Sequence, residues 1–296
     1  MGTETGPVLV TGASSGIGRA ITELLASKGR EVLATARKDT DLAELARLPH
    51  VTPIRLDVTS EDEATKTSEW IRASGKGLYG LVNNAGIGGF GPMVDTSVEE
   101  LHLVLDSNLY GMHRMVRACF PFLLESHGRI VNICSIAGIL TESFRGTYGI
   151  SKHAAESYTD LLREELSGLG IHVSAIEPGS FRSNIMSNGL ARMGPDAAAT
   201  WKNSVYRDVV DRAIAQLTSS PEHLAGLHLP EPRPVAEAVA DALFSDRPKP
   251  RYLVANQEET DRVIAQVLTL LSQLNQKQDH TLTKAQLAER LQAIVP

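Results

Sequence analysis

The residues best suited to chemistry are a tyrosine and a lysine in the run YGISK at 148–152. Tyr148 and Lys152 stand four residues apart, so on a helix they share one face, and the ammonium can favour the ionised phenol. A tyrosine held in this way can exchange a proton near neutral pH. Ser135, upstream at the end of a strand-like run, could hydrogen-bond the same reacting oxygen. The set predicts proton transfer at a carbonyl or alcohol oxygen.

A glycine-rich turn, TGASSGIG at 11–18, follows a predicted strand and opens a predicted helix. Gly12 permits the tight turn, Gly16 lets a diphosphate approach the backbone, and Gly18 allows close packing of the helix. The free N–H groups at the start of the helix would bind the anion. Such a turn also occurs as an ordinary strand-to-helix connection. Combined with the tyrosine and lysine, it predicts hydride transfer between a nicotinamide cofactor and a carbonyl.

The residues at the end of the second predicted strand bear on which cofactor is bound. An acidic residue about 20 positions after the glycine turn would bind the ribose hydroxyls of NAD. Ala36, Arg37 and Lys38 stand there instead. A guanidinium can clamp a 2′-phosphate that a carboxylate would repel, so NADP(H) is the predicted cofactor and NAD(H) the second choice. The alternative is that Arg37 is a solvated loop charge.

Short β-branched runs alternate with helical periodicity along the chain. Strands separated by helices predict a parallel sheet covered on both faces. The first helix shows an apolar stripe, with Gly29 as its stop signal. We therefore expect an α/β fold over 1–257, a doubly wound (Rossmann) parallel sheet of about seven strands in a single domain. The predicted strands are 7–10, 31–36, 51–58, 78–84, 128–135, 171–178 and 251–255.

Two segments depart from this alternation. Between 184 and 232 the pattern breaks into Asn, Gly, Met, Pro and isolated aromatics, with one amphipathic stretch near 203–217, which predicts a substrate lid. Residues 258–296 predict a C-terminal helical extension, in which Thr283 and Gln286 could form a capping box. Its apolar stripe comprises Val263, Ile264, Val267, Leu268, Leu271 and Leu274.

Composition excludes several classes of protein. The 296-residue chain has a net charge of −6 and no basic run, which argues against nucleic acid as a partner. Cys119 and Cys134 lack metal-ligand spacing, so we expect no metal and two free thiols in a reducing compartment. The start of the sequence lacks a cationic region followed by an apolar one, and no apolar run reaches about 18 residues. We therefore expect a cytoplasmic protein without a stable membrane anchor.

Seven motifs, in order along the chain, resemble those of one family. They are TGASSGIG at 11–18, Asp57-Val58, NNAG at 83–86, Asn108, Ser135, YGISK at 148–152 and PG at 178–179. Over about residues 6–257 the chain resembles the short-chain dehydrogenase/reductases of the TGxxxGxG and YxxxK type. The stretches ATAR at 34–37 and SKHAAESYTDLLREEL at 151–166 look most like the branch acting on steroids and retinoids. The second stretch is largely helix surface, so it reflects ancestry more than chemistry.

The resemblance implies roles for the catalytic set Asn108, Ser135, Tyr148 and Lys152. In the reductive direction Tyr148 would protonate the carbonyl oxygen and Ser135 would hydrogen-bond it. Lys152 would also hold the nicotinamide ribose, and Asn108 would support a water that links Lys152 to solvent. Family members are usually dimers or tetramers formed through the helices near 98–125 and 148–167, so a homo-oligomer is expected.

The resemblance also implies the cofactor contacts. Asp57 would hydrogen-bond near the adenine with Val58 beside it, although without the family Asp57 reads as a turn residue before a capping Ser60. Ser183 stands where the family commonly has a threonine that holds the nicotinamide carboxamide. The predicted contacts are Gly12, Ser14, Ser15, Gly16, Ile17, Gly18, Arg37, Asp57, Val58, Asn84, Ala85, Gly86, Tyr148, Lys152, Pro178, Gly179 and Ser183.

The residues expected at the substrate are mostly apolar, which suits a lipophilic ketone or secondary alcohol, steroid-like or retinoid-like. The alternative is that many of them fill the core. A broad-specificity reductase of small carbonyls is equally compatible, and a catalytically silent dinucleotide sensor or an interaction protein using the tail helix are the other classes. The residues are Ile87, Phe90, Ile139, Leu140, Phe144, Phe181, Met186, Leu190, Met193 and Trp201.

Overall fold

Seven parallel strands form one continuous sheet. The computed structural model describes residues 6–192, 201–220, 222, 228–276 and 281–294. The strands pair in the order β3-β2-β1-β4-β5-β6-β7, and every pair is parallel. This confirms the predicted α/β fold. The strand bounds are β1 Val8–Val10, β2 Val32–Ala36, β3 Val51–Arg55, β4 Gly80–Asn83, β5 Arg129–Ile133, β6 His172–Pro178 and β7 Arg251–Val254.

Helices connect the strands and cover both faces of the sheet. The first helix ends just before Gly29, whose φ of +72° favours glycine, as predicted. The helix bounds are α1 Gly16–Ser27, α2 Asp39–Leu45, α3 Glu61–Ser74, α4 Val98–Leu105, α5 Gly111–Ser126, α6 Gly146–Ser167, α7 Ile185–Arg192, α8 Arg207–Leu217, α9 Arg233–Phe244, α10 Gln257–Leu274 and α11 Lys284–Ile294.

Two apolar layers, one on each face, hold these helices to the sheet. Successive side chains of a strand point to opposite faces, and β1 shows this directly. Val8 and Val10 join a buried cluster with residues of α1 and α9. Leu9, between them, joins a second cluster with residues of α3 and α5. Burial on both faces explains why the strands read as continuous apolar runs rather than as alternating ones.

The strand order reverses next to β1. The connection from β1 leads to β2 on one side, whereas β4 and β5 lie on the other side. The carboxyl ends of β1 and β4 therefore border a crevice of the kind in which doubly wound sheets bind ligands. The glycine turn follows β1, and the Asn84-Ala85-Gly86 segment follows β4.

A π-helical turn at Asp106–Tyr110 joins α4 to α5. It contains Asn108, which is buried. Just after the turn, a Cβ added at Gly111 would lie 2.7 Å from Cγ2 of Val58, so α5 packs closely on the loop that follows β3. The π-turn therefore lies beside two of the predicted site segments.

Strand β3 ends three residues before the predicted boundary at 58. Asp57 Oδ1 accepts hydrogen bonds from the Thr59 amide at 3.0 Å and the Thr59 hydroxyl at 2.8 Å, which forms a turn. Ser60 then caps α3 by accepting a hydrogen bond from the Glu63 amide at 3.2 Å. These contacts are those expected of a turn residue that precedes a capping serine.

The predicted lid contains α7 and α8, and the predicted extension contains α10 and α11. The capping box at α11 is confirmed, because Thr283 and Gln286 exchange hydrogen bonds of 2.9 and 3.3 Å. Val263 is buried, but the rest of the α10 stripe is about half exposed. The division into a domain at 1–257, a lid at 184–232 and an extension at 258–296 stays an interpretation. In the described ranges, no helix has the length and apolar character needed to cross a membrane.

Candidate active site

The glycine turn has a backbone that side chains would disrupt. Gly12 and Gly16 have φ values of +64° and +54°, which favour glycine. A Cβ added at Gly18 would overlap the Gly12 carbonyl oxygen and the Asn84 amide nitrogen. Ile17, by contrast, packs against the core cluster of this face. The first turn of α1 therefore packs closely on the backbone at Gly12 and on Asn84.

Hydrogen bonds join the glycine turn to the loop after β4. Asn84 Nδ2 donates to the carbonyl oxygens of Thr11 and Gly12, at 2.9 and 3.1 Å. The Thr11 hydroxyl oxygen accepts from the backbone amides of Asn84 and Ala85, both at 2.9 Å. Asn84 and Ala85 thus fix the backbone at the start of the glycine turn. Thr11 was not among the predicted site residues, although its position directly after β1 is the signal for it.

The start of α1 is free to receive an anion. Its N-cap residue, Ser15, makes no side-chain capping hydrogen bond, and the first turn holds no acidic residue. In contrast, Ser60, Ser97 and Asn256 cap α3, α4 and α10, each followed by acidic residues in the first turn. Backbone N–H groups and the helix dipole therefore face a place for an anion next to Ser14 and Ser15, which fits a diphosphate.

The ends of β2 and β3 present a cation and an anion together. Arg37 Nη1 lies 3.6 Å from Asp57 Oδ2, and the Arg37 side chain is 66% exposed. The Arg37 carbonyl oxygen accepts a 2.6 Å hydrogen bond from Arg55, which fixes the backbone here. Partial burial would raise the pKa of Asp57, but hydrogen bonds from Thr59 and the charge of Arg37 hold it below its usual value. Val58 is buried in the core beside this pair.

Helix α6 carries both Tyr148 and Lys152, as predicted. Lys152 is buried, and its Nζ donates a 2.8 Å hydrogen bond to the Ile133 carbonyl oxygen at the end of β5. The same Nζ lies 5.7 Å from the centre of the Tyr148 ring. A buried ammonium is costly unless it is paired, and the partner that the structure shows for this one is a neutral carbonyl.

Ser135 reaches this helix through a short 3-10 turn at Ile136–Gly138. Its hydroxyl oxygen accepts a 3.1 Å hydrogen bond from the Ala137 amide. A Cβ added at Gly138 would lie 2.8 Å from the Lys152 carbonyl oxygen, so this turn packs directly on α6. The structure therefore holds the segment that begins with Ser135 against the helix that carries the tyrosine and lysine.

Asn108 forms hydrogen bonds with two neighbouring residues through both its side-chain oxygen and its side-chain nitrogen. Its Oδ1 accepts from the Ile87 amide at 2.8 Å, and its Nδ2 donates to the Ile87 carbonyl oxygen and to the Ser151 hydroxyl, both at 2.9 Å. A Cβ added at Gly86 would lie 3.1 Å from Asn108 Oδ1. Asn108 thus links the π-turn, the loop after β4 and α6, while its role in a water relay stays a prediction.

The segment after β6 lies over the glycine turn. Strand β6 ends at Pro178, and the Gly179 amide donates to the Val254 carbonyl oxygen at 2.8 Å. A Cβ added at Gly16 would lie 3.2 Å from Ser183 Cβ. Ser183 therefore lies against the start of α1, and its contact with the cofactor stays a prediction.

The residues predicted at the substrate divide into two groups. Phe181 and Leu140 pack in apolar clusters, as the core interpretation has it. Phe90 meets Trp201 edge to face at 6.0 Å, and Phe144 meets Tyr206 at 5.4 Å. These pairs connect the loops around the site to the lid. Met193 and the Met186 side chain lie outside the described residues.

A half-buried charge cluster joins α6 to β6 and β7. Arg251 on β7 contacts Glu156 and Asp160 of α6, both at 2.5 Å, and also Glu177 of β6. Glu156 follows Lys152 by one helical turn, and its side chain is only 8% exposed. The sequence did not predict this cluster, because its members are up to 95 residues apart in the chain.

Both cysteines are free and buried, as expected. Burial raises the pKa of the Cys119 thiol to about 12. Burial, followed by the neighbouring Glu156 carboxylate, also raises that of Cys134. Among the described residues no group of acidic, histidine or cysteine side chains could hold a metal ion. Cys119 lies within an apolar cluster of the core, and the Cys134 sulfur lies 3.7 Å from the Thr159 hydroxyl oxygen.

Comparison with known proteins agrees with this geometry. A short chain dehydrogenase family model matches residues 7–193. The chain is 34% identical over 262 residues to the mitochondrial D-beta-hydroxybutyrate dehydrogenase of Bos taurus, covering 83% of this chain and 75% of the relative. It is 30% identical over 257 residues to retinol dehydrogenase 7 of Mus musculus, covering 83% and 79%. A short-chain dehydrogenase structure from Streptomyces avermitilis superposes with a TM-score of 0.73 at 28% identity, covering 93% and 96%.

The chain belongs to the short-chain dehydrogenase/reductase family. It is accordingly an oxidoreductase that acts on CH–OH groups with a nicotinamide cofactor, and the resemblance drawn from the seven motifs is confirmed.

Proposed function

We propose that the protein is an NADP(H)-preferring reductase of lipophilic ketones, or the corresponding alcohol dehydrogenase, with Tyr148 as its acid and base. The observation that carries the proposal is the buried Lys152, which lies between the end of β5 and the Tyr148 ring. A silent dinucleotide sensor would have no need of this pair. The uncapped start of α1 gives the diphosphate of the cofactor a place to bind.

The chain's own residues would handle the proton. When bound, the nicotinamide supplies or accepts the hydride. In reduction, the Tyr148 hydroxyl donates its proton to the substrate oxygen, and the Lys152 ammonium stabilises the phenolate that remains. The Ser135 hydroxyl donates a hydrogen bond to the same oxygen while negative charge develops there. Lys152 would also hold the nicotinamide ribose, and Asn108 would support the water that returns the proton.

Replacing Tyr148 with phenylalanine tests this role. The phenol is lost while the ring is kept, so we expect kcat to fall by about 10²-fold to 10⁴-fold, with the Kd for NADPH unchanged within about twofold. Steady-state oxidation of NADPH and fluorescence titration measure the two quantities. Turnover by the phenylalanine variant at the wild-type rate would exclude Tyr148 as the acid.

The preference for NADP(H) rests on Arg37. Its exposed guanidinium lies at the carboxyl end of β2, where it can reach a 2′-phosphate, and its only described ionic contact is the loose 3.6 Å approach to Asp57. Arg37→Asp should lower the ratio of kcat/KM for NADPH to that for NADH by about tenfold or more. Arg47→Asp is the matched control, because Arg47 lies between α2 and β3, near the amino ends of the strands, whereas Arg37 follows the carboxyl end of β2. Equal effects of both variants would contradict the role of Arg37.

The aromatic pairs between the loops and the lid support a lipophilic substrate. Phe90, Phe144 and Tyr206 are partly exposed and offer ring surface rather than charge, and the buried Trp201 packs against Phe90. A relative named for retinol fits this class, whereas one named for hydroxybutyrate fits the alternative of a small carbonyl substrate. Measuring kcat/KM for a steroid ketone, retinal, acetoacetate and a short aliphatic ketone distinguishes a lipophilic substrate from a small carbonyl substrate. Higher kcat/KM for the short substrates would favour the small-carbonyl reductase.

Assembly and location complete the proposal. Leu103, Tyr110, Ile150 and Leu161 on the segment from α4 to α6 are exposed and apolar, which supports a homo-oligomer, dimer or tetramer, formed through these helices. Sedimentation equilibrium measures the number of subunits. The free thiols fit a reducing compartment such as the cytoplasm, which localisation of a tagged chain would test.

A further inference from the structure

The first turn of α10 is tied to the loop that carries the predicted nicotinamide contact. Asn256 caps the helix by accepting a 2.9 Å hydrogen bond from the Glu259 amide, and Glu259 Oε2 accepts from the Asn256 amide at 3.2 Å. The other oxygen, Oε1, accepts a 2.9 Å hydrogen bond from the amide of Ser180. The capping box therefore fixes a carboxylate that has one oxygen directed at the segment after β6.

The carboxylate also lies directly on Gly179. A Cβ added at Gly179 would overlap Glu259 Oε2 and would lie 3.1 Å from Ala255 Cβ. A side chain at position 179 would therefore have to displace the Glu259 carboxylate from the place where it accepts the Ser180 amide.

The loop held in this way leads to the glycine turn within four residues. Phe181 packs in the core cluster, and the Arg182 amide donates to the Pro230 carbonyl oxygen at 2.9 Å. Ser183 then lies against Gly16. Because Ser183 lies only four residues after Gly179, the Glu259 contact at Ser180 acts together with the anchors at Phe181 and Arg182 to fix where Ser183 lies.

The next residues of α10 hold the second loop of the site. Arg262 pairs with Glu142, which also contacts Arg145 at 3.1 Å. Val263 is buried with Ile136 and Leu140, in the segment that follows Ser135. One short stretch of helix therefore contacts both the cofactor loop and the substrate loop, although it follows the last strand.

We propose that Glu259 is a positioning residue for cofactor binding, acting through the Ser180 amide to hold Ser183 over the start of α1. This inference rests on the proposed NADP(H)-dependent function. It makes the start of the predicted extension part of the catalytic unit, and it extends the set of functional residues beyond the motifs that the sequence shows.

The test compares Glu259→Ala and Glu259→Gln with Glu258→Ala, a matched control that removes an exposed carboxylate from the same helical turn. The Kd for NADPH is measured by fluorescence titration, along with KM, kcat and Tm. Glu259→Ala should raise the Kd and KM for NADPH by about tenfold, with kcat at saturating NADPH within about threefold of wild type. Glu259→Gln keeps one acceptor for the Ser180 amide and should recover most of the affinity.

Wild-type affinity in Glu259→Ala, or equal losses in Glu259→Ala and Glu258→Ala, would overturn the inference. If the alanine variant is poorly folded, Gly179→Ala provides a second route, because its methyl group displaces the same carboxylate. Gly179→Ala should raise the Kd for NADPH well above that of Glu259→Gln, and an unchanged Kd in Gly179→Ala would contradict the coupling. Failure of the wild-type protein to bind NADPH or NADH would instead overturn the proposed function.

Discussion

Replacing Glu156 with glutamine is expected to stabilise the protein at pH 8, even though Glu156 forms an ion pair with Arg251. Burial raises the pKa of Glu156 to about 7, and the neighbouring Glu177 carboxylate adds to this, while Arg251 only partly offsets the two. Three carboxylates thus face one guanidinium, and two of them are nearly inaccessible to water. Ion pairs of this kind cost desolvation that their attraction does not always repay.

The size of the effect follows from the difference between the folded and unfolded states. The ordinary pKa is 4.5 and the folded value is about 7, so the folded protein binds the proton more tightly than the unfolded chain does. This stabilisation is fully present below pH 4.5 and is lost as the pH rises through about 7. At about 1.4 kcal/mol for each pH unit, the loss amounts to roughly 3 kcal/mol.

Glutamine keeps the shape and one acceptor oxygen for Arg251 but cannot ionise. The free energy of unfolding in urea, measured at one protein concentration from pH 5 to pH 8, should therefore differ little between variant and wild type at pH 5. At pH 8 the variant should be more stable by roughly 3 kcal/mol. Asp160→Asn is the control, because Asp160 meets the same guanidinium with a side chain that is 47% exposed. It should change stability by about 1 kcal/mol or less at either pH. A glutamine variant that is less stable than wild type at pH 8 would refute the reasoning, since attraction to Arg251 would then outweigh burial.

Two further predictions concern the packing around the site. Gly18→Ala places a methyl group against the Gly12 carbonyl and the Asn84 amide. It should therefore raise the Kd for NADPH at least about tenfold and cost about 1–3 kcal/mol of stability. The control is Gly168→Ala, which has no described atom within 4 Å of the added Cβ and should leave the Kd and the stability nearly unchanged. Both thiols should resist a chromogenic disulfide reagent at pH 8, because burial raises the pKa of each thiol well above that pH, and both should react fully after unfolding. Rapid reaction in the folded state would show that the core opens more readily than its packing implies.

The sequence was sufficient for the features that local patterns determine. Apolar runs punctuated by glycine predicted the strands, and helical spacing predicted that Tyr148 and Lys152 share α6. The capping box of α11 was likewise contained in four consecutive residues. Even there, the boundary of β3 was wrong, because Asp57 makes a turn that competes with continuation of the strand.

The remaining contacts join residues that are far apart in the chain. Asn84 and Thr11 are separated by 73 residues, and Ser180 and Glu259 by 79. A single sequence gives no local signal for such pairs, since a serine amide or a helical glutamate is commonplace. For the same reason, the sequence did not show which aromatic residues fill the core. Only the fold distinguishes Phe181, which packs in the core, from Phe90, which contacts Trp201 of the predicted lid.

The π-turn at Asp106–Tyr110 has a consequence for chain length. It contains one residue more than an α-helical turn would, so all that follows is rotated by about 100° relative to an uninterrupted helix. Asn108 bonds Ile87 from within this turn, and Met115 is buried beyond it in α5. Deleting a single residue would rotate these two positions relative to each other, so both contacts could not be kept at once. This stretch should therefore not tolerate a change in its number of residues.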